Sequence, residues 1–461
     1  MSQQSLRALL FASALAILVS PARAVTYTAI VLDMDSFTNV MAIGVSNTSQ
    51  VGSGYGDATG FFSNALLWSG TAGSAVNLHP AALQVSYATA ATSTNQVGYG
   101  NAAGGNTHAL LWSGTAASVV DLNPPGIDIS YAHDVAGSKQ IGNGFNTSDF
   151  LSHALLWSGT AASRVDLNPA GYTESFGNGI SGSAALGYAQ VGYGYGSSTS
   201  DNNHAILWTG TAASKVDLNP SGFTETYAND VYGNAIASTQ VGSGAGSATS
   251  GATHALKWSG TTASKVDLNP SGFDLSEALG VSAAGQVGDG FGASTSGAYH
   301  ALYWNGTSAS AIDLHAVLLP STGYDFVSSQ AFAIADNGTI VGVAVDDGLY
   351  NHGIIWTPVP DGPPESGVAG DYNNNGTVDA GDYTTWRKGN TLLHNEVATI
   401  GSNTPQDYTE WRARSGNPPG SGSALNGTPI PEPTSSALVA CCVCAMLISR
   451  PRGCHWLRQC L

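Results

Sequence analysis

Seven tryptophans, Trp68, Trp112, Trp157, Trp208, Trp258, Trp304 and Trp356, recur at intervals of 44, 45, 51, 50, 46 and 52 residues. Each closes the same short phrase: HALLW at 108–112 and 153–157, HAILW at 204–208, HALKW at 254–258 and HALYW at 300–304. NALLW at 64–68 and HGIIW at 352–356 are the end copies. A unit of this length cannot bury its apolar face alone, so neighbouring copies must stack into an array.

Within a copy the apolar runs are short. In the third copy Tyr131–Val135 is one run and Gln140–Gly144 the next, with His153–Trp157 and Arg164–Leu167 after them. Gly, Pro, Asn and Ser turns separate them, and no helical period extends over a useful length. Four strands in this span is the blade of a β-propeller. A second motif also occurs seven times, at Gln50-Val51-Gly52, Gln96-Val97-Gly98, Gln140-Ile141-Gly142, Gln190-Val191-Gly192, Gln240-Val241-Gly242, Gln286-Val287-Gly288 and Ile340-Val341-Gly342. Its glycines permit close backbone approach, which places this second strand nearest the central axis.

The fourth strand has only six copies, ending in Asn77 and in Asp121, Asp166, Asp217, Asp267 and Asp313. After Trp356 come Pro358 and Pro360, which suit no further interior strand. Tyr27–Asp33 supplies the missing run at the other end of the chain. The expected fold is all-β: a seven-bladed propeller over 25–357, closed by the N-terminal strand and followed by a small α-helical calcium-loop module. An open β-solenoid is the alternative, and it needs no displaced strand. The phrase Q-V-G-x-G … H-A-L-L-W-S-G … V-D-L resembles the HAF family of extracellular bacterial repeats across 26–357. That resemblance implies a location and a propeller shape, and no reaction.

Of 461 residues only 10% are charged, against about 25% in average proteins, and the net charge is −17. Fourteen Lys and Arg residues in the whole chain make no basic stripe, which excludes nucleic acid as a partner. The cysteines, Cys441, Cys442, Cys444, Cys454 and Cys460, all follow the repeats, so packing and strand pairing must hold the array.

The ends read as addresses. Residues 1–24 have the form of a signal peptide: Arg7, the apolar run Ala8–Val19, and Ala22-Arg23-Ala24 before Val25. At the other end Pro431, Glu432 and Pro433 precede the apolar run Ala437–Ile448 and then Arg450 and Arg452. The order over 431–461 resembles the PEP-CTERM sorting signal. It implies an exported chain at the cell envelope or in the extracellular matrix of a bacterium, held at the membrane through this segment before processing.

Between propeller and tail, 358–370 and 416–430 are linkers around a distinct module at 371–415. Asp371-Tyr372-Asn373-Asn374-Asn375-Gly376-Thr377-Val378-Asp379-Ala380-Gly381-Asp382 matches the twelve-position calcium loop. Asp371, Asn373, Asn375, Asp379 and Asp382 offer side-chain oxygens, Gly376 makes the sharp turn, and Thr377 offers its carbonyl. Ca2+ is the expected cofactor. Asp382 with Tyr383-Thr384-Thr385-Trp386-Arg387, repeated as Asp407-Tyr408-Thr409-Glu410-Trp411-Arg412, resembles the dockerin type I module. A second loop over 396–407 has Ala398 and Ile400 at two ligand positions, so one calcium site and one degenerate half are expected. The resemblance implies a cohesin-like partner and an association with polysaccharide. Tyr383 with Trp386, and Tyr408 with Trp411, each share one helix face and suit a core between two helices.

His108, His153, His204, His254, His300 and His352 each start a third strand, too far apart round a ring to share one ion. They are read as structural, each fixing the loop before it. The repeated aspartates are read as ordering the Asn-Pro turns beside them. A functional site requires asymmetry, a residue that one copy has and the others lack. Asp35, Asp57, Asp149, Glu174, Asp201, Glu225, Asp274, Glu277, Asp289, Asp346 and Asp347 are the odd carboxylates. No G-x-S-x-G, H-E-x-x-H or Cys/His pair is present. The expected function is a non-catalytic binding or adhesion module for polysaccharide or an envelope protein. The alternative is an extracellular carbohydrate-active enzyme, a hydrolase or lyase, which needs two carboxylates flanking one bond.

Overall fold

The computed structural model describes residues 25–34, 37–102, 104–318, 324–359, 369–373, 377–388 and 405–415. Residues 1–24 (expected to be a signal peptide), Asn375, most of 396–407 and Pro431, Glu432 and Pro433 lie outside the described residues. The chain divides into two compact units, Met1–Val359 and Pro360–Leu461.

The first unit is a closed seven-bladed β-propeller. Six blades are four-stranded antiparallel sheets in sequence order; blade 3, for example, is Ile129–Ala136, Lys139–Phe145, His153–Trp157 and Val165–Asp166. The seventh takes three strands from Phe326–Ile334, Ile340–Asp346 and Asn351–Pro358, and its outer strand is Tyr27–Val31. Ala29 pairs with Trp356, Ile30 with Ile355 and Val31 with Ile354. Leu32 N–H continues the ladder to the Gly353 carbonyl at 2.8 Å. The solenoid alternative is thereby excluded.

Each apolar cluster lies between two blades and not within one. Trp157 packs with Val97, Ala109 and Leu122 of blade 2, and Trp208 with Ile141, Ala154 and Leu167 of blade 3. The same set recurs at the closure, where Trp68 of blade 1 meets Val341 and Ile355 of blade 7 and Leu32 of the N-terminal segment. All seven tryptophans are fully buried. Truncation of a side chain so enclosed costs about 3–5 kcal/mol. A hydroxyl adds a polar tie at six interfaces: Ser86, Ser130, Ser175, Thr226, Ser276 and Ser329 each accept the third-strand alanine N–H of the preceding blade at 3.0–3.1 Å.

The innermost strand is the first of each blade, not the second as the glycine motif led us to expect. First strands of neighbouring blades touch one another all round the ring. Every one carries a bulge at the same place, with Ile43, Thr89, His133, Asn178, Asn229, Leu279 and Phe332 as the extra residues. The second-strand glycine answers to that bulge. A Cβ on Gly142 stands 1.9 Å from the Tyr131 carbonyl oxygen, so only glycine fits beside the bulged strand.

In the second unit, helices Ala380–Arg387 and Pro405–Arg414 enclose Tyr372, Val378 and Trp411, with Tyr383, Trp386 and Tyr408 against them. The helix-sharing aromatics thus form a small core, as their spacing indicated. The Trp411 indole N–H donates to the Asp379 carbonyl at 2.8 Å.

Candidate functional site

Antiparallel order gives the ring two unlike ends. One carries the turns after first and third strands. The other carries the loops that lead into first strands and those joining second to third strands. At the turn end the axial channel opens into a cavity of about 480 Å³ walled by all seven first strands, from Gly44 through Asp134 and Asp230 to Ala333. The bulged residues form its inner ring.

The repeat breaks most at the axis. Two residues before each bulge stand Met41, Tyr87, Tyr131, Phe176, Tyr227, Glu277 and Gln330, all half-buried. Opposite them on the second strands are Ser53, Tyr99, Asn143, Tyr193, Ser243, Asp289 and Val343. Blades 2 to 5 make an aromatic arc of this layer. Tyr99 meets Tyr87 and Tyr131 with ring centres 5.0 Å apart, and Tyr193 meets Phe176 at 4.8 Å and Tyr227 at 4.9 Å. His133 stacks on Tyr131 and donates from Nε2 to Asn143 Oδ1 at 2.8 Å.

Blade 6 breaks the arc with acids. Glu277 and Asp289 are direct cross-strand partners, a register that sets Cβ atoms about 4.5–5.5 Å apart. Of the odd carboxylates singled out in the sequence, these two are brought face to face. Burial, opposed by a 2.7 Å bond from Gln330 Nε2 and reinforced by the Glu277 charge, pushes the Asp289 carboxyl up to about 7. Burial also raises Glu277. Asp289 therefore keeps its proton near neutrality beside a second acid. Glu174 and Glu225 instead accept tyrosine hydroxyls, from Tyr195 at 2.6 Å and Tyr227 at 3.1 Å. Asp57, Asp149, Asp201 and Asp347 sit in the loops between second and third strands, Asp346 ends the second strand of blade 7, Asp274 lies at the entry to blade 6, and Asp35 is outside the described residues.

Two axial acids were missed. Asp134 and Asp230 follow the bulge in blades 3 and 5, where the other blades have Gly or Ala. Each spans a blade junction: Asp134 accepts Val135 N–H and Ile180 N–H, both at 2.7 Å, and Asp230 accepts Val231 N–H at 2.7 Å and Val281 N–H at 2.8 Å. Desolvation outweighs those bonds and raises Asp134 to about 6, while burial and the Asp134 charge raise Asp230. Aligning the copies on the residue after the bulge would have exposed both, but a bulge is not visible as a strand interruption in the sequence.

The repeated histidines bond across the sheet and not to the preceding loop. His108, His153, His204, His254 and His300 place Nδ1 2.7–2.8 Å from Asp121, Asp166, Asp217, Asp267 and Asp313. The other oxygen of each Asp accepts an N–H two residues on, in the Asn-Pro turn or its equivalent, at 2.7–2.9 Å. In blade 7 the partner comes from the other terminus: Asp33 Oδ2 lies 2.5 Å from His352 Nδ1. These pairs lock outer strands; they do not converge on a ligand.

In the second unit Asp371 and Asp382 are buried and Thr377 and Asp379 border them along the chain. Asp382 accepts Asn373 N–H at 2.9 Å and Asp379 N–H at 2.7 Å, which ties the start of the loop to the start of the helix. Burial first, then repulsion from Asp371 and Asp379, raises Asp382. Hard oxygen donors that repel one another fit a calcium ion. Among the described residues no group of three or more His, Cys, Asp or Glu is placed to hold a metal, and the loop's middle, 374–376, lies outside them.

No family model and no curated protein matches the chain. Among solved structures it is similar to a puromycin-hydrolysing peptidase of Mycobacterium tuberculosis, with 11% identity and a TM-score of 0.45 over 68% of this chain and 51% of that one. A puromycin hydrolase crystal structure gives 11% and 0.43 over 70% and 54%. The chain thus spans about half the length of these proteins. A likeness of this size assigns no residue a role. The fold itself places the chain in the class of closed seven-bladed β-propellers.

Proposed function

We propose that this chain is an exported binding propeller, non-catalytic, that holds polysaccharide or an envelope protein at its loop end. What supports the reading is where the asymmetry falls. Trp, Gln, His–Asp and Ser pairings repeat from blade to blade, and the departures gather at the axis and in the loops. An aromatic arc flanked by carboxyl and amide groups is the chemistry of sugar recognition: ring faces for C–H surfaces, polar groups for hydroxyls. The test is a glycan array and an envelope-fraction pull-down with the mature chain. A blank array together with an empty pull-down defeats it.

In this reading the second unit is a dockerin-like module. Asp371, Asn373, Asn375, Thr377, Asp379 and Asp382 would hold Ca2+ and so fasten the loop to its helix, and a cohesin-like domain is its candidate partner. The Pro431-Glu432-Pro433 segment directs the chain to the envelope. Asp371→Ala should abolish calorimetric calcium binding while the repeats stay folded; undiminished binding refutes the ligand set.

One observation favours a second reading, a carbohydrate-active enzyme. Glu277 faces Asp289, and an acid protonated near neutrality beside another is the arrangement glycoside hydrolysis uses. Reducing-sugar release by the mature chain that disappears in both Glu277→Gln and Asp289→Asn would establish it over the binding reading.

A further inference from the structure

The loops joining second to third strands contain a backbone position suited to glycine, three residues before the repeated His or Asn that opens the tryptophan phrase. Blades 5 and 6 place Gly251 and Gly297 there, at φ 87 and 79. Blade 4 has Asp201 at φ 60. Blades 1, 3 and 7 instead hold Phe61, Phe150 and Leu349, at φ 64, 59 and 65. A bulky residue in the left-handed region is uncommon, and such strain concentrates where a protein meets a ligand.

None of the three side chains is hidden. Phe61, Phe150 and Leu349 are 62%, 64% and 76% exposed, and the next residues, Phe62, Leu151 and Tyr350, are 45%, 40% and 46% exposed. The loops are nevertheless pinned. Phe61 N–H donates to Gly56 O at 2.9 Å, Phe150 N–H to Asn146 O at 2.9 Å and Leu349 N–H to Asp346 O at 3.0 Å. Blades 7 and 1 adjoin through the closure. Between blades 1 and 3, the loop of blade 2 is built from Ala102, Gly104, Gly105 and their neighbours. Three paired apolar tips therefore project from one end of the ring.

Charge chooses the occupant. The propeller's lysines and arginines are Lys139, Arg164, Lys215, Lys257 and Lys265; Lys215 and Lys265 reach over the Tyr172 and Phe223 rings at the entries to blades 4 and 5, and none stands in the tip loops of blades 1, 3 and 7, which carry Asp57, Asp149 and Asp347 with Asp346 at the strand end beside them. An acidic polymer or an anionic membrane would be repelled. We infer that this end binds an extended, uncharged polysaccharide, whose sugar rings lie on Phe61, Phe62, Phe150 and Tyr350 while the loop aspartates accept its hydroxyl protons. This rests on the binding reading above and names its ligand class and contacts.

The experiment compares retention of the mature chain on neutral polysaccharides (cellulose, xylan, β-1,3-glucan) with retention on alginate and polygalacturonate. It uses wild type and the variant Phe61→Gly/Phe62→Ser/Phe150→Gly/Tyr350→Ser. Affinity for a neutral polymer should fall about tenfold or more, the scale of one or two dominant contacts. Glycine relieves the two positive φ angles, so the variant should melt no lower than wild type. Equal retention of the variant overturns the loop assignment and leaves the binding reading standing. Retention on acidic polymers only, capture by neutral phosphatidylcholine vesicles without any glycan, or loop-dependent dimerisation overturns the ligand class. If wild type binds no glycan and no envelope component, the binding reading falls and this inference with it.

Discussion

The two ends of the ring are built from the same repeats and have diverged unequally. At the turn end, Gln50, Gln96, Gln140, Gln190, Gln240 and Gln286 each accept a glycine N–H from the turn after the tryptophan, at 2.6–2.7 Å. Ser74, Ser118, Ser163, Ser214, Ser264 and Ser310 repeat a second bond set in the same turns. At the loop end the His–Asp pairs hold the strand ends, but the tips of the loops joining second to third strands follow no such set: Phe61, Gly105, Phe150, Asp201, Gly251, Gly297 and Leu349 share one position and little chemistry. A bond made six times is holding a fold. A position filled by four different residue types is not required by it.

The sharpest way to break this comparison is to remove a framework part that occurs once. Deleting residues 25–34 takes the outer strand from blade 7, Tyr27 and Ala29 from one interblade cluster and Leu32 from the next. It also strips Asp33 from His352. The expected result is the largest loss of all: no cooperative thermal transition, read by circular dichroism, because two of seven interfaces lose their seal. A sharp transition within a few degrees of wild type would show that the ring does not depend on its closure.

The acid pair comes second. The Asp289 carboxyl sits at about 7 in the fold against an ordinary 3.8. Between those values the native chain holds a proton that the unfolded chain has released. Stability therefore falls as pH rises from about 4 to about 7 and is level above, a contribution on the order of 2–4 kcal/mol. Asp134 and Asp230 add slopes of the same sign. Asp289→Asn should flatten the profile measured by urea denaturation and gain most over wild type above pH 7. A variant whose profile parallels wild type would show that Asp289 is not buried with its proton.

Closer to the average core change is Gly142→Ala. The added methyl meets the Tyr131 carbonyl oxygen at 1.9 Å, and that atom is backbone within the bulge, so the strand must shift. A loss of about 1–3 kcal/mol is expected, seen as a lower denaturation midpoint with unchanged slope. A neutral outcome would mean that the bulge is pliable, and the glycine motif would need another cause.

These residues also show what was legible beforehand. Trp157 and its six counterparts disclosed the blade count, because burial of one large side chain per unit leaves a period in the sequence. Tyr27–Asp33 disclosed the closure, because a missing fourth strand is a countable absence. The bulge was not legible: His133 and Asn178 read as ordinary strand residues, and without the bulge the glycine beside it pointed to the wrong strand as innermost. Glu277 and Asp289 were visible as odd carboxylates, but only the strand register says that they face each other. Asp134 escaped notice because it sits in a run, Tyr131–Val135, that looks like any other first strand.

The smallest effect tests the framework from the other side, by restoring a repeat. The turn after each of the first six tryptophans contains Thr-Ala-Ala-Ser or a near copy, with Ala117, Ala162, Ala213, Ala263 and Ala309 at one position and Gly73 there in blade 1. Gly73 lies in the short 3-10 turn Ala72–Ser74, and a Cβ on it meets nothing within 4 Å. Its φ is not in the range that resists a side chain, so alanine enters without strain. Gly73→Ala should then act through the unfolded chain, whose freedom it reduces, and stabilise by about 0.4–1 kcal/mol. Polysaccharide retention should not change, since the turn stands at the opposite end of the ring from Phe61 and Phe150. A rise in stability with unaltered binding would separate the two ends by a substitution that touches no other residue. A loss of binding would show that the ends communicate, and the division between framework and binding end would have to be redrawn.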